Sequence, residues 1–181
     1  MSRVKINSRK NLINTKLFDV DELSVSYADK NDTFHGVYVK SAVVVLTLTD
    51  NRELFLTKQH RHIKDKIYLE LVSGMIEDGE DPLEAAKREL EEEAGIKALK
   101  WTRLSKVEIG SSIFDWDFNY YLAYELNFTM QKLDLSEDIE IIKMPLDEAV
   151  NKIYSGEIVK LSTITGILML YNMLNKGLIS I

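Results

Sequence analysis

Hydrophobic positions along the chain fall into short runs and alternating stretches, which predict mostly strands. Residues 42–49 are rich in β-branched side chains and predict a buried strand. The polar residues 50–53 predict a turn, after which residues 54–59 would pair back on that strand as a hairpin. Further strands are predicted at residues 67–72, 100–109, 118–126 and 139–144, with shorter β segments among residues 12–40.

Three segments have patterns typical of helices: residues 81–94, 146–154 and 162–175. Strands interrupted by a few helices, without a regular βαβ rhythm, indicate the α+β class with a mixed sheet. Residues 1–40 lack a strong core of their own. They are therefore predicted to be a small N-terminal β segment beside a main domain of residues 41–181, packing on that domain or on a second subunit.

Charge and composition narrow the classes of function. The net charge is −6, which argues against nucleic acid as a partner, and an anionic substrate would need local cations or a bound metal. The chain has no cysteine, which excludes disulfides and thiolate catalysis and fits a reducing cytoplasm. No apolar run approaches the ~20 residues of a membrane span, and no secretory signal is expected at the N-terminus.

The helix at residues 81–94 has clear signals at both ends. Asp81 is a candidate N-cap, Pro82 suits the first helical position and Glu84 completes a capping-box pattern. Gly95 is placed to end the helix in a left-handed conformation. Successive residues of a helix are about 100° apart around its axis, so one side of this helix is apolar and is predicted to face the core. That side consists of Leu83, Ala86, Leu90 and Ala94.

Three glutamates, Glu89, Glu92 and Glu93, share a neighbouring arc of this helix. They lie in its last turns, where the helix dipole is negative, so each charge costs ~0.3–1 kcal/mol. A divalent cation would offset that cost, and only part of it can be offset by Arg88. Carboxylate and carbonyl oxygens are hard ligands that suit Mg²⁺ or Mn²⁺.

The same region resembles a known sequence motif. Gly74, Glu80 and the run Arg88-Glu89-Leu90-Glu91-Glu92-Glu93-Ala94-Gly95-Ile96 match the Nudix box at its full spacing. The flanking segments resemble the branch of the Nudix hydrolases that contains ADP-ribose pyrophosphatases; they are Gln59–Arg61, Glu70–Gly74, Pro145–Ala149 and Ser155–Ile158. The resemblance implies an α/β/α sandwich with a mixed sheet.

The resemblance also implies roles for individual residues. The metal ligands would be the Ser73 carbonyl, Glu89 and Glu93, with Glu92 sharing a metal or assisting catalysis. Glu80 and Arg88 would brace the loop on the helix, and Gly74 and Gly95 complete the structural motif. Arg61 would contact a substrate phosphate. Glu70 is a candidate substrate-binding residue, with a structural or supporting role or a contact with metal or ribose as the alternatives.

One stretch departs from the family pattern. This branch carries a Pro-Gly loop followed by a glutamate that positions or deprotonates the attacking water. Residues 110–117 here read Gly-Ser-Ser-Ile-Phe-Asp-Trp-Asp, with neither Pro-Gly nor glutamate. Asp115 or Asp117 is the candidate replacement, with a side chain one methylene shorter.

The resemblance implies an enzyme that cleaves the diphosphate of ADP-ribose or a related nucleoside diphosphate sugar, acting as a homodimer that exchanges N-terminal strands. One alternative is hydrolysis of another nucleoside diphosphate derivative, such as a dinucleotide or NADH. A second alternative is a nucleotide-sugar-binding module without chemistry, because the loop base is altered. A diphosphate isomerase is a third alternative, against which the lack of cysteine argues.

Overall fold

The computed structural model describes residues 4–28, 30–133 and 138–180. Its elements in chain order are β1 Lys5–Asn14, β2 Phe18–Tyr27, β3 Lys30–Val39, β4 Ala42–Thr47, β5 Glu53–Arg61, a 3₁₀ turn His62–Lys64, β6 Lys66–Glu70, β7 Val72–Met75, α1 Pro82–Ala94, β8 Ile96–Gly110, β9 Phe114–Phe128, β10 Ile139–Pro145, α2 Leu146–Tyr154 and α3 Leu161–Asn175.

The chain divides into two compact units, one of residues 1–41 with 107–117 and one of residues 42–106 with 118–181. In the described part of the first unit, β1, β2 and β3 form an antiparallel meander, and Val37 and Tyr38 pair in parallel with the start of β9. All ten residues of β1 are exposed. The role of the N-terminal segment as a dimerisation element stays a prediction.

The second unit has a mixed sheet, as predicted for the α+β class. Strand β4 lies between a parallel neighbour, β9, and an antiparallel neighbour, β7. Helix α1 packs on the face that carries Val43 and Val45. Helix α3 packs on the opposite face, where Gly166 lies against Leu71 and Tyr120. The expected α/β/α sandwich is therefore confirmed, and coverage on both faces explains why every residue of β4 is buried.

The predicted hairpin between residues 42–49 and 54–59 is wrong. Strand β5 belongs to a separate three-stranded sheet, where it pairs antiparallel with β6 and β10. Both edges of β4 are already filled by β7 and β9, so the turn after β4 carries the chain into another sheet. The predicted strand at residues 67–72 is likewise two strands, because the chain changes sheets at Leu71 and β7 continues to Met75.

The three helices agree closely with their predicted bounds. None of the helices in the described ranges combines the length and the apolar character that crossing a bilayer would require.

Candidate functional site

Helix α1 is fixed at both ends by local contacts. The Asp81 carboxylate accepts hydrogen bonds from the backbone N–H of Leu83 at 2.9 Å and of Glu84 at 3.3 Å. At the other end Gly95 adopts φ 62°, and a Cβ there would lie 2.7 Å from the Thr129 carbonyl oxygen. Because only glycine fits this conformation and this contact, the helix ends at a defined residue and its glutamates point in defined directions.

Arg88 holds the loop before α1 against the helix. Its Nε and Nη2 donate to the two carboxylate oxygens of Glu80 at 2.9 and 3.0 Å, and Nη2 also donates to the Met75 carbonyl at 3.1 Å. Glu80 in turn accepts from the backbone N–H of Glu77 at 2.9 Å. The structure thus brings together the two residues expected to brace the loop.

Both members of this pair are held in their charged forms. The hydrogen bond from Arg88 holds the pKa of the Glu80 carboxyl below its usual value, against the opposing effect of burial. The hydrogen bond to Glu80 raises the pKa of Arg88 above its usual value. A bidentate pair between ionised groups is stronger than a neutral hydrogen bond, so it can hold the loop against the helix.

Glu89 lies against a residue that has no side chain. Strand β7 passes over α1 at Gly74, and a Cβ built there would lie 1.9 Å from the Glu89 Cδ. The Glu89 carboxylate also accepts from Arg88 Nη1 at 2.7 Å. Glycine at position 74 therefore creates the space that the Glu89 carboxylate occupies.

Glu93 is directed at the neighbouring residue of the same strand. It is buried, with 6% of its surface exposed, and its Oε2 accepts from the Ser73 N–H at 3.2 Å. In an extended strand the N–H and C=O of one residue point to the same side. The Ser73 carbonyl therefore points to the same side of β7 as its N–H, where Glu93 lies.

Glu92 is in a more open position. Its side chain is 41% exposed, and its Oε2 lies 3.2 Å from Arg88 Nη1, the same nitrogen that contacts Glu89. One guanidinium thus contacts Glu80, Glu89 and Glu92. The helical projection of the sequence places Glu89, Glu92 and Glu93 on one arc. In the structure the carboxylates of Glu89 and Glu93 point inward, whereas that of Glu92 lies at the surface.

Arg61 and Glu70 form a second ion pair in the same unit. Arg61 Nε and Nη2 donate to the two Glu70 oxygens at 3.0 and 2.8 Å, and the Glu70 side chain is almost completely buried. The sequence suggested both residues separately but gave no sign of their contact. It also missed Lys160, whose Nζ lies 3.7 Å from Glu70 Oε1, because nothing local links residues so far apart in the chain.

The two aspartates proposed as loop bases lie on a strand and not in a loop. Strand β9 begins at Phe114, so Asp115 and Asp117 are strand residues of the first unit, with Asp115 paired to Tyr38. The alternation of a strand puts their side chains on one face. Asp115 is exposed, whereas Asp117 accepts a hydrogen bond from the Ser41 hydroxyl at 2.7 Å.

Residues 38–160 match the NUDIX domain. The chain belongs to the NUDIX family. This chain is 34% identical over 119 residues to the ADP-ribose pyrophosphatase of Bacillus subtilis. The match covers 65% of this chain and 64% of that relative, so the chain spans just under two thirds of the relative's length. The resemblance to the Nudix hydrolases and their ADP-ribose pyrophosphatase branch is confirmed.

Two further proteins are similar to this chain over most of its length. A CMP-5'-(N-acetyl-N-hydroxy-3-aminopropyl)phosphonate hydrolase of Streptomyces rubellomurinus is 29% identical over 152 residues, covering 81% of this chain and 74% of the relative. The crystal structure of an ADP compounds hydrolase superposes on this chain with a TM-score of 0.86, covering 98% of this chain and 97% of that one. Its 20% identity shows a shared fold.

The NUDIX family implies a divalent metal, and the donors of this chain can be tested against it. No group of three or more acidic or histidine side chains in a metal-holding arrangement occurs within the described residues. The donor chemistry nevertheless fits, because Glu89 and Glu93 are nearly buried carboxylates beside the backbone of Gly74 and Ser73, respectively. Buried negative charge at the negative end of a helix dipole favours a bound cation.

Proposed function

We propose that this protein is a metal-dependent pyrophosphohydrolase that cleaves the diphosphate of ADP-ribose or a related nucleoside diphosphate sugar. The products are a nucleoside monophosphate and a sugar phosphate. The observation that carries the proposal is the inward pair of carboxylates, Glu89 against Gly74 and Glu93 against Ser73, within a NUDIX domain. The similarity to an ADP-ribose pyrophosphatase of Bacillus subtilis and to a hydrolase of a CMP derivative of Streptomyces rubellomurinus supports this substrate class.

The metal assigned to this site is Mg²⁺ or Mn²⁺, with the Ser73 carbonyl, Glu89 and Glu93 as ligands and Glu92 as an additional one. When bound, such an ion neutralises phosphoryl oxygens and lowers the pKa of a coordinated water. Arg88 keeps the loop and the glutamates in register through its pair with Glu80.

The remaining roles belong to side chains of the protein itself. Arg61 binds a phosphate of the substrate, and its bidentate contact with the buried Glu70 orients the guanidinium before the substrate arrives. The residue that takes a proton from the attacking water is assigned to Glu92, Asp115 or Asp117. Asp117 already accepts from Ser41, which leaves Asp115 and Glu92 as the more exposed candidates.

The proposal includes a homodimer and a cytoplasmic location. Every residue of β1 is exposed, including the apolar Ile6, Leu12 and Ile13, so pairing with a second copy would bury apolar surface. The chain has no cysteine, which suits a reducing compartment. Light scattering at micromolar concentration should give twice the mass of one chain; the mass of a single chain would contradict the dimer.

A substrate panel tests the proposed reaction. Pure protein is incubated with Mg²⁺ and ADP-ribose, GDP-mannose, UDP-glucose, NADH or a diadenosine polyphosphate, and the products are separated by chromatography. We expect ADP-ribose or a nucleoside diphosphate sugar to give a nucleoside monophosphate, and EDTA to abolish the reaction. Failure to turn over any member of the panel with folded protein would contradict the proposal.

A nucleotide-sugar-binding module is the second candidate, favoured by the hydrogen bond that ties Asp117 to Ser41 and by the exposed position of Asp115. Calorimetry with ADP-ribose discriminates between the two candidates. Tight binding without product in the presence of Mg²⁺ would favour the binding module.

A further inference from the structure

A group of polar side chains covers one face of strands β5 and β6 and is not used by the metal site. The register pairs Thr57 with Glu70, Gln59 with Tyr68 and Arg61 with Lys66. Since alternate residues of a strand share a face, these side chains lie together on one face of the sheet. We call these side chains, together with Lys160, the Tyr68 cluster. Besides Thr57, it consists of Gln59, Arg61, Lys66, Tyr68, Glu70 and Lys160.

Positive charge is in excess in the Tyr68 cluster. Glu70 supplies one carboxylate, which Arg61 contacts directly and Lys160 approaches to 3.7 Å. The Lys160 and Lys66 ammonium nitrogens also lie 4.9 and 5.4 Å from the centroid of the Tyr68 ring. The Tyr68 cluster therefore contains two lysines and an arginine but only one carboxylate, and this excess of positive charge favours the approach of an anion.

The N-terminus of helix α3 adds to this positive field. Lys160 is its N-cap residue, and the cap has no side-chain hydrogen bond. The first turn of this 15-residue helix contains no acidic residue. The first backbone N–H groups of a helix carry partial positive charge, so an anion near Lys160 would meet both the ammonium and the helix dipole.

Gln59 supplies an independent sign of a ligand. Its side chain is 7% exposed, and within the described residues its Oε1 is buried without a hydrogen-bond partner. A buried amide oxygen that accepts no hydrogen bond is costly, so a donor from a ligand would remove that cost. Gln59 is paired directly with Tyr68, which places this oxygen on the same sheet face as the cations.

These features together describe one ligand class. The anion would be held by Lys160 and Arg61, while a hydroxyl would donate to Gln59. The Tyr68 ring is already engaged by two ammonium groups, which argues against stacking of a flat base on it. Within a nucleoside diphosphate sugar, the part that is an anion with hydroxyl groups and without a base is the sugar phosphate.

We propose that the Tyr68 cluster binds the sugar-phosphate half of the substrate, with Lys160 as a specificity-determining cation and Gln59 as an acceptor for a sugar hydroxyl. This inference rests on the proposed function for the identity of the substrate. The binding itself is independent of metal and of catalysis, because Glu89 and Glu93 do not take part.

Calorimetry in EDTA with ribose 5-phosphate, inorganic phosphate and ribose tests the inference. We expect ribose 5-phosphate to bind at least about tenfold more tightly than the other two probes, since it satisfies both halves of the site. Lys160→Gln should weaken its binding by about tenfold, and Lys160→Arg should restore most of it. Gln59→Met should weaken binding of ribose 5-phosphate while leaving that of inorganic phosphate unchanged.

Lys58→Gln is the matched control. Lys58 precedes Gln59 on β5, so its side chain lies on the opposite face, where it pairs with Glu140 at 2.7 Å. We expect this variant to bind like the wild type. Binding that is unaffected by Lys160→Gln, or lost equally in Lys58→Gln, would overturn the inference, as would the absence of binding by the wild type.

The two proposals can fail separately. If Lys160→Gln hydrolyses ADP-ribose with an unchanged KM, the proposed hydrolase activity is supported and the proposed sugar-phosphate site is contradicted. If ribose 5-phosphate binds in a Lys160-dependent way but no nucleotide is hydrolysed, the sugar-phosphate site is supported and the hydrolase activity is contradicted.

Discussion

The carboxylate of Glu89 lies where a side chain on residue 74 would be. A Cβ built on Gly74 would be 2.0 Å from Glu89 Oε1 and 2.3 Å from Oε2, both far inside van der Waals contact. The two residues are 15 positions apart in the chain, and they meet because β7 passes over α1. Glycine is therefore required at position 74 by the close approach of the Glu89 carboxylate.

Gly74→Ala should separate activity from stability. The new methyl group must displace Glu89, and the end of a flexible side chain moves easily, so the free energy of unfolding should fall by less than about 1.5 kcal/mol. Mg²⁺-dependent hydrolysis of ADP-ribose should fall by about 100-fold or more, because Glu89 is a proposed metal ligand and is moved. Gly110→Ala is the control, since a Cβ there meets nothing within 4 Å. Equal loss in both variants would contradict the explanation.

Glu93→Gln should remove most of the activity from a folded protein. The amide keeps the size of the side chain and can still accept from the Ser73 N–H, but it lacks the negative charge that a divalent cation needs. We expect a loss in kcat of about 100-fold or more, measured with saturating Mg²⁺. Circular dichroism should be unchanged. Glu84→Gln, in the exposed first turn of the same helix, should retain activity, and retained activity in Glu93→Gln would remove Glu93 from the metal site.

Arg88→Met should destabilise the protein strongly. The substitution leaves Glu80 and Glu89 without the guanidinium that each contacts at 3.0 Å or less. Breaking a partly buried ion network of this kind costs about 2–4 kcal/mol, measured by urea denaturation. Lys87→Met is the matched control, because Lys87 makes an exposed pair with Glu84 that contributes about 0–0.5 kcal/mol. Similar losses in both variants would show that the Arg88 network contributes little.

The Glu80–Arg88 pair should also make stability depend on pH in the acid range. The pKa of Glu80 is lowered from 4.5 chiefly by the hydrogen bond from Arg88, so folding favours the ionised carboxyl. Its contribution is present above the unfolded pKa and is lost as the pH falls through the lower folded pKa. Urea denaturation between about pH 3 and pH 7 should show a steeper decline for the wild type than for Glu80→Gln. Parallel curves for the two proteins would contradict this prediction.

Much of the candidate site could be predicted because its signals are local. The N-cap, the proline at the first helical position and the terminal glycine of α1 act within one or two turns, so the helix bounds follow from the sequence. The burial of Ala86 and Leu90 follows from the helical period. The contact between Arg61 and Glu70 and the approach of Lys160 could not be predicted, since they depend on how β5, β6 and the start of α3 meet.

The proposed catalytic base, Asp115 or Asp117, was the part of the candidate site that the sequence predicted least well. Comparison with the family pattern placed Asp115 and Asp117 in a loop, whereas strand pairing with Tyr38 extends β9 through both positions. A short stretch that mixes polar residues with two aromatic ones, Phe114 and Trp116, does not distinguish a loop from the start of a strand. Pairing with another strand decides between them, because its hydrogen bonds come from residues far away in the chain.

The sequence by itself determined the α+β class, from the order of strand and helix patterns. Spacing within a single segment determined the family motif and the helix α1 with its two ends, and the resemblance to the family supplied the set of candidate metal ligands. Only the tertiary structure decided that β4 and β5 belong to different sheets, that Gly74 makes room for Glu89 and that Lys160 stands beside Glu70 and Tyr68. The physical reason is that strand partners and cross-chain contacts are chosen by the burial of whole faces. The sequence patterns of β4 and β5 therefore predict that each is a strand but not which strands pair with it.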